Sequence, residues 1–197
     1  MTFFRCIILM QFTTVLALGQ VVQSSKVPAP AAAVVRSLYH EVIARHPSGI
    51  PKGADMKAFA PYLSEGLTRR IDSALACEND YYRGHQNPNE KPEIEWLEFG
   101  LFSGANEKAL PVAFYLESTQ QEKDGSFHIP VKLRYGDRLN WQVATIVVRE
   151  TGHYVIDDIV FLKDETLNVE SRLSEILTIG CNGPKWVGNG EHGMVKN

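Results

Sequence analysis

From residue 32 onward the hydrophobic positions change period once, from 3.6 residues to 2, and that change divides the chain. Val35, Leu38, Val42 and His46, flanked by Val34 and Ile43, fall on one side of a helix that starts near Ala32 and is stopped by Pro47-Ser48-Gly49. Residues 55–63 predict a short helix broken at Pro61, and Ser64 then caps a third helix, apolar at Leu67, Ile71, Ala74 and Leu75, running to about Cys77. Residues 84–92 are rich in Asn, Pro and Gly and predict a loop. Beyond it the chain alternates. Residues 93–102 and 111–121 read as strands; Lys123-Asp124-Gly125 turns into a third, where Ile129, Val131, Leu133 and Tyr135 alternate with Pro130, Lys132 and Arg134. Thr151-Gly152 joins residues 141–150 and 153–162 as a hairpin. Val169, Leu173, Ile176 and Leu177 close the chain with a helix that ends just before Cys181. Helices, then four or five antiparallel strands, then a helix predict an α+β layer, a curved sheet with helices on one face.

Composition fits one such domain. The chain has 197 residues, 44% hydrophobic and 22% charged, enough for one substantial core. A net charge of -3 without any Lys/Arg run gives a phosphate backbone nothing to bind, so nucleic acid is excluded as a partner. The N-terminus changes the picture more. Arg5 precedes a nearly unbroken apolar run over residues 6–19 that ends in Ala17-Leu18-Gly19, the order of a cleavable signal peptide. The run is short for a bilayer span and contains Gln11, so no transmembrane segment is expected after cleavage; the alternative is an uncleaved interfacial anchor. The expected organisation is a signal peptide over 1–19, a flexible leader over 20–31, the folded domain over 32–179 and a Gly-rich tail over 180–197, in a periplasmic or secreted protein. Export leaves Cys77 and Cys181 as an even pair in a disulfide-permitting compartment, each placed just past a predicted helix, and a bond between them is expected. Two separate buried thiols are the alternative. Neither cysteine has metal or redox spacing, and no cofactor is implied.

Phe59-Ala-Pro-Tyr-Leu-Ser64 with Leu67 and Ile71, Pro130-Val-Lys-Leu133, Trp141-Gln-Val143 and Tyr154-Val-Ile-Asp-Asp-Ile159 resemble the exported DUF3828 proteins, a group similar to the NTF2-like superfamily. The resemblance spans residues 32–178. It implies a cone in which sheet and long helix enclose a pocket, an architecture shared by enzymes and binding modules. The chain departs from that group in two places: Cys6 precedes the apolar run, so no lipid-attachment cysteine ends the signal, and the segment after Gly180 has no counterpart.

Catalytic motifs are scarce. His40-Glu41 opens like a zinc-protease helix, but position 44 is Ala, and His46 lies well round the helix from His40. No nucleophile elbow or glycine-rich phosphate loop occurs, and His85, His128, His153 and His192 sit at loop, strand-start or tail positions. What remains is His153-Tyr-Val-Ile-Asp-Asp-Ile-Val-Phe161, with two carboxylates inside an apolar strand. On regular alternation Asp157 shares a face with Val155, Ile159 and Phe161, and Asp158 with Tyr154, Ile156 and Val160. Phe161 being the bulkiest of these, Asp157 is expected to be the more buried, braced by Arg134, Arg149 or a tyrosine hydroxyl. The alternative is a general base facing a pocket. Any pocket would draw its lining from Tyr39, Tyr62, Trp96, Trp141 and Asp157, although aromatics at these periods also fill cores. The sequence thus predicts a non-catalytic envelope module that binds a small apolar ligand or an envelope protein, with a sheet face open to homodimer formation. An isomerase or hydrolase using an Asp base is the alternative.

Overall fold

The computed structural model describes residues 27–85, 100–104, 110–136, 139–162 and 170–188. The predicted signal peptide, most of the leader, Trp96 and the far end of the tail lie outside the described residues.

Helix α1 (Ala29–Arg45) begins three residues earlier than the periodicity indicates, because Pro28 and Pro30 supply pre-set φ angles at a helix start where no N–H is needed. It buries Ala31, Val35, Leu38, Tyr39 and Val42, one face at i, i+3, i+4 spacing. His46 ends it in the left-handed region (φ 46°), its N–H bonded back to the Val42 carbonyl. Helix α2 (Ala54–Phe59) tightens at Pro61 into a single 3-10 turn (Ala60–Tyr62). Helix α3 (Glu65–Gly84) is capped as predicted, the Ser64 hydroxyl accepting from the Leu67 N–H at 2.9 Å. It runs two turns beyond Cys77, so that cysteine lies inside the helix and not past its end.

The sheet is antiparallel, in the order β1 (Ala113–Leu116), β3 (Phe127–Tyr135), β4 (Leu139–Glu150), β5 (His153–Phe161), β6 (Ser171–Arg172). The short β2 (Gln120–Gln121) continues the β1 edge beside β3, so the strand predicted over 111–121 is broken in its middle. Of the strand predicted over 93–102, Gly100 forms a lone bridge with Gly49, and Leu101 starts a turn instead of extending. The β4–β5 hairpin turns on Thr151 and Gly152, both at positive φ (47° and 94°), the two-residue turn whose twist matches the strands. The closing helix is short, α4 (Leu173–Ile176), because the preceding residues join the sheet as β6.

Helices α1 and α3 lie on one face of the sheet. Tyr39, Phe59, Phe102, Phe161, Leu133 and Ile129 fill the layer between them, all under 2% exposed apart from Phe161 at 2%. Burial at this level removes each side chain from water at roughly 1.5–3 kcal/mol. On the other side of the sheet Ala144, Ile146 and Val160 form a small second cluster already buried within one chain, with Leu162 against it.

Residues 181–186 of the expected tail are folded. Strands β7 (Cys181–Asn182) and β8 (Lys185–Trp186) make a tight hairpin against α3. Cys77 and Cys181 are disulfide-bonded with Cα atoms 6.0 Å apart. Around the bond, the Trp186 ring meets Tyr81 edge-on at 5.1 Å, and the Trp186 backbone N–H donates to Asp80 Oδ2 at 3.0 Å.

Candidate functional site

The paired aspartates resolve against the expectation. Asp158 is buried, 6% exposed, and Asp157 is exposed. The reason is a β-bulge: Ile146 pairs with Asp158 and Val147 with Ile156, leaving Asp157 as the extra residue. Alternation therefore slips by one at this point. Ile156 before the bulge and Ile159 and Phe161 after it all reach the same core, which strict parity forbids.

Each carboxylate is then held by a helix. Asp157 Oδ1 accepts from the Ser64 hydroxyl at 2.6 Å, at the start of α3, while the Ser64 N–H bonds the Ile156 carbonyl. Glu150 Oε2 accepts the Glu65 N–H at 3.1 Å, so two carboxylates from one hairpin meet the positive end of α3. Asp158 accepts from the Ser174 N–H at 3.0 Å, the Ser174 hydroxyl at 2.7 Å and the Ile159 N–H at 2.9 Å, with Arg172 3.9 Å away. The partners are hydroxyls and backbone amides, and Arg134 and Arg149 are not among them; Arg149 donates to the Gly152 carbonyl.

Of the aromatic candidates, Tyr39 and Tyr62 belong to the helix–sheet core, while Trp96 and the Trp141 side chain lie outside the described residues. Tyr39 is wholly buried in the helix–sheet core and donates to the Phe102 carbonyl at 3.1 Å; burial pushes its hydroxyl pKa far up. Tyr135 makes the matching bond to the Ser103 carbonyl at 3.3 Å, its pKa also raised by burial. The two hydroxyls clamp one turn of chain to the core. Tyr62 is half-buried against the same core, and the Trp141 backbone pairs with Leu133. Tyr39, Tyr62 and Asp157 line neither of two cavities formed by described residues.

One cavity of about 360 Å³ lies elsewhere, between the loop 46–53 and α3, and is lined by Ile50, Lys52, Asp55, Glu78 and Tyr82 among others. A second, of about 80 Å³, adjoins Cys181. In the larger cleft Glu78 is 3% exposed, though it carries a charge. Lys52 Nζ reaches its Oε1 at 2.6 Å, the lysine stem standing half in solvent. Glu78 Oε2 is buried and has no hydrogen-bond partner. Asp55 at the rim is bonded to Arg45 at 3.0 Å, and Arg45 also to Glu41 at 2.6 Å. Tyr82, one helical turn beyond Glu78, is 44% exposed; its hydroxyl pKa is raised by burial first and by the Glu78 charge second. His46 Nδ1, where the loop leaves α1, is likewise buried without a partner. Among the described residues no three His, Cys, Asp or Glu side chains gather to hold a metal.

A signal for Glu78 stands in the sequence. It occupies the stripe Leu67, Ile71, Ala74, Glu78, Tyr81, where the helical period calls for an apolar residue. The predicted end of α3 near Cys77 hid it.

No family model, no curated protein and no solved structure matches this chain. No helix among the described residues is long and apolar enough to cross a membrane.

Proposed function

We propose that the chain is a non-catalytic, exported binding module of the cell envelope, akin to the DUF3828 and NTF2-like proteins, and that it holds a small polar molecule in the cleft between loop 46–53 and α3. One observation carries this reading: Glu78 Oε2 is buried in that cleft and lacks a donor. A buried acceptor left unpaired costs about 1–3 kcal/mol, which a ligand N–H or O–H offsets. The non-catalytic part is supported by the aspartates, since a general base must be free to take a proton and both carboxylates are committed to helix ends. Export is supported by the signal-like residues 1–19 and by the disulfide, a bond that persists in oxidising compartments. The cleft lining favours a polar ligand over the apolar one that the aromatic candidates imply.

Amide correlation spectra of the oxidised chain, titrated with short-chain amines, carboxylates, amides and polyols, test the proposal. At least one chemical class is expected to move resonances of residues 48–55 and 78–82 saturably while leaving the β4–β5 hairpin unmoved. If none does so, the cleft is not a binding site.

A further inference from the structure

We infer that this cleft selects an organic ammonium group, an inference that rests on the cleft being the binding site. Glu78 offers one free acceptor, because Lys52 occupies Oε1 and leaves Oε2 bare. A guanidinium forks onto two carboxylate oxygens and loses half of that match here. An ammonium is a compact donor that needs one. Charge points the same way. Among the lining residues Lys52 carries one positive charge and Asp55 and Glu78 two negative ones, and the balance stays one net negative charge when the Arg45 bonded to Asp55 and the Glu41 bonded to Arg45 are included. The free oxygen therefore repels an anion, and a neutral donor gains less than a cation does. Tyr82 supplies the remaining element. It lies one turn from Glu78 on α3 and lines the same cleft, so its ring can face the cation held at the carboxylate.

Binding of n-butylamine, n-butylguanidine, 1-butanol and butyrate, matched in chain length, tests the inference when each is titrated against the oxidised chain by amide correlation spectra. Butylamine is expected to bind in the cleft at least about tenfold tighter than the other three, a gap of one charge-assisted hydrogen bond. Glu78→Gln should weaken butylamine by about the same factor, and Tyr82→Leu by several-fold. Tyr82 is exposed, so that variant keeps its melting temperature and decides the matter if Glu78→Gln fails to fold. Butanol, butyrate or butylguanidine binding the cleft as tightly as butylamine overturns the ammonium inference and leaves the cleft as a site. Unchanged butylamine affinity in both variants, or amine shifts located away from residues 48–55 and 78–82, overturns it too. Silence from all four probes there removes the inference, and the wider screen of amides and polyols then decides the cleft itself.

Discussion

The layer between helices and sheet and the cleft beside α3 treat buried polar groups in opposite ways. In the layer, the Thr145 hydroxyl reaches the Ile129 carbonyl and Tyr39 and Tyr135 each donate to a carbonyl, and on the sheet's other face Asp158 takes three donors. In the cleft, Glu78 keeps a buried oxygen without a partner. Satisfied polar groups fix geometry, and unsatisfied ones hold free energy that a ligand can release. The paired aspartates attract notice in the sequence yet belong to the first kind. Glu78, which does not stand out, belongs to the second.

Opening the disulfide should break this comparison hardest, because it anchors the cleft side. The bond joins residues 104 apart in sequence, and in the chain-entropy model a loop of that size contributes on the order of 4 kcal/mol. The Cys77→Ala/Cys181→Ala double variant is expected to lose about that much in a denaturant melt. Hydrogen exchange should place the damage. Amides of residues 77–84 and the β7–β8 hairpin should open first while β3, β4 and β5 keep their protection. An unshifted midpoint, or equal loss of protection in the sheet, would show that α3 is held by its packing alone.

A smaller effect should come from alkali, acting on the layer. Tyr39 and Tyr135 have pKa values raised by burial, so the folded state keeps both phenols neutral where the unfolded chain ionises. Their contribution is complete below the unfolded pKa near 10 and declines as pH rises from there, by roughly 1 kcal/mol per phenol per pH unit. Urea midpoints should therefore fall between about pH 10 and 11 and fall less steeply in Tyr39→Phe and Tyr135→Phe. Identical slopes in all three proteins would mean that these hydroxyls reach solvent.

What the sequence made legible follows from how local each signal is. The cap at Ser64, the stop after His46, the turn at Thr151-Gly152 and the alternation of β3 are each written within a few residues, and all four stand in the structure. The disulfide was readable from compartment and parity of count. The bulge was not, because nothing in Ile156-Asp157-Asp158 marks which residue β4 skips; pairing across the sheet decides it. The extension of α3 was masked by the polar run Glu78-Asn79-Asp80, which is helical because the β7–β8 hairpin packs on its inner side. The cleft itself depends on loop 46–53 folding back against α3, a contact between residues 26 apart that no periodicity encodes.

The finest test separates the two aspartates. Asp158→Ala removes one carboxylate and strands the Ser174 N–H, the Ser174 hydroxyl and the Ile159 N–H at a site 6% exposed, so it should cost about 2–3 kcal/mol, the upper range for buried donors losing a charged acceptor. Asp157→Ala removes one bond, from a hydroxyl that still accepts from Leu67 and still caps α3. Water replaces the carboxylate there, because the bulge turns it out of the sheet. Its cost should stay near 0.5–1 kcal/mol, the scale of a partly exposed charge at a helix start. Asp157→Asn, keeping one acceptor oxygen for Ser64, should cost less still. Thermal melts of the three variants side by side measure the order. Should Asp157→Ala melt below Asp158→Ala, the bulge would be misplaced by one residue and the burial of the pair reversed. Should Asp158→Ala leave the melt unchanged while butylamine binding disappears, the satisfied carboxylate would belong to the site after all, and the division between satisfied and unsatisfied polar groups would fall.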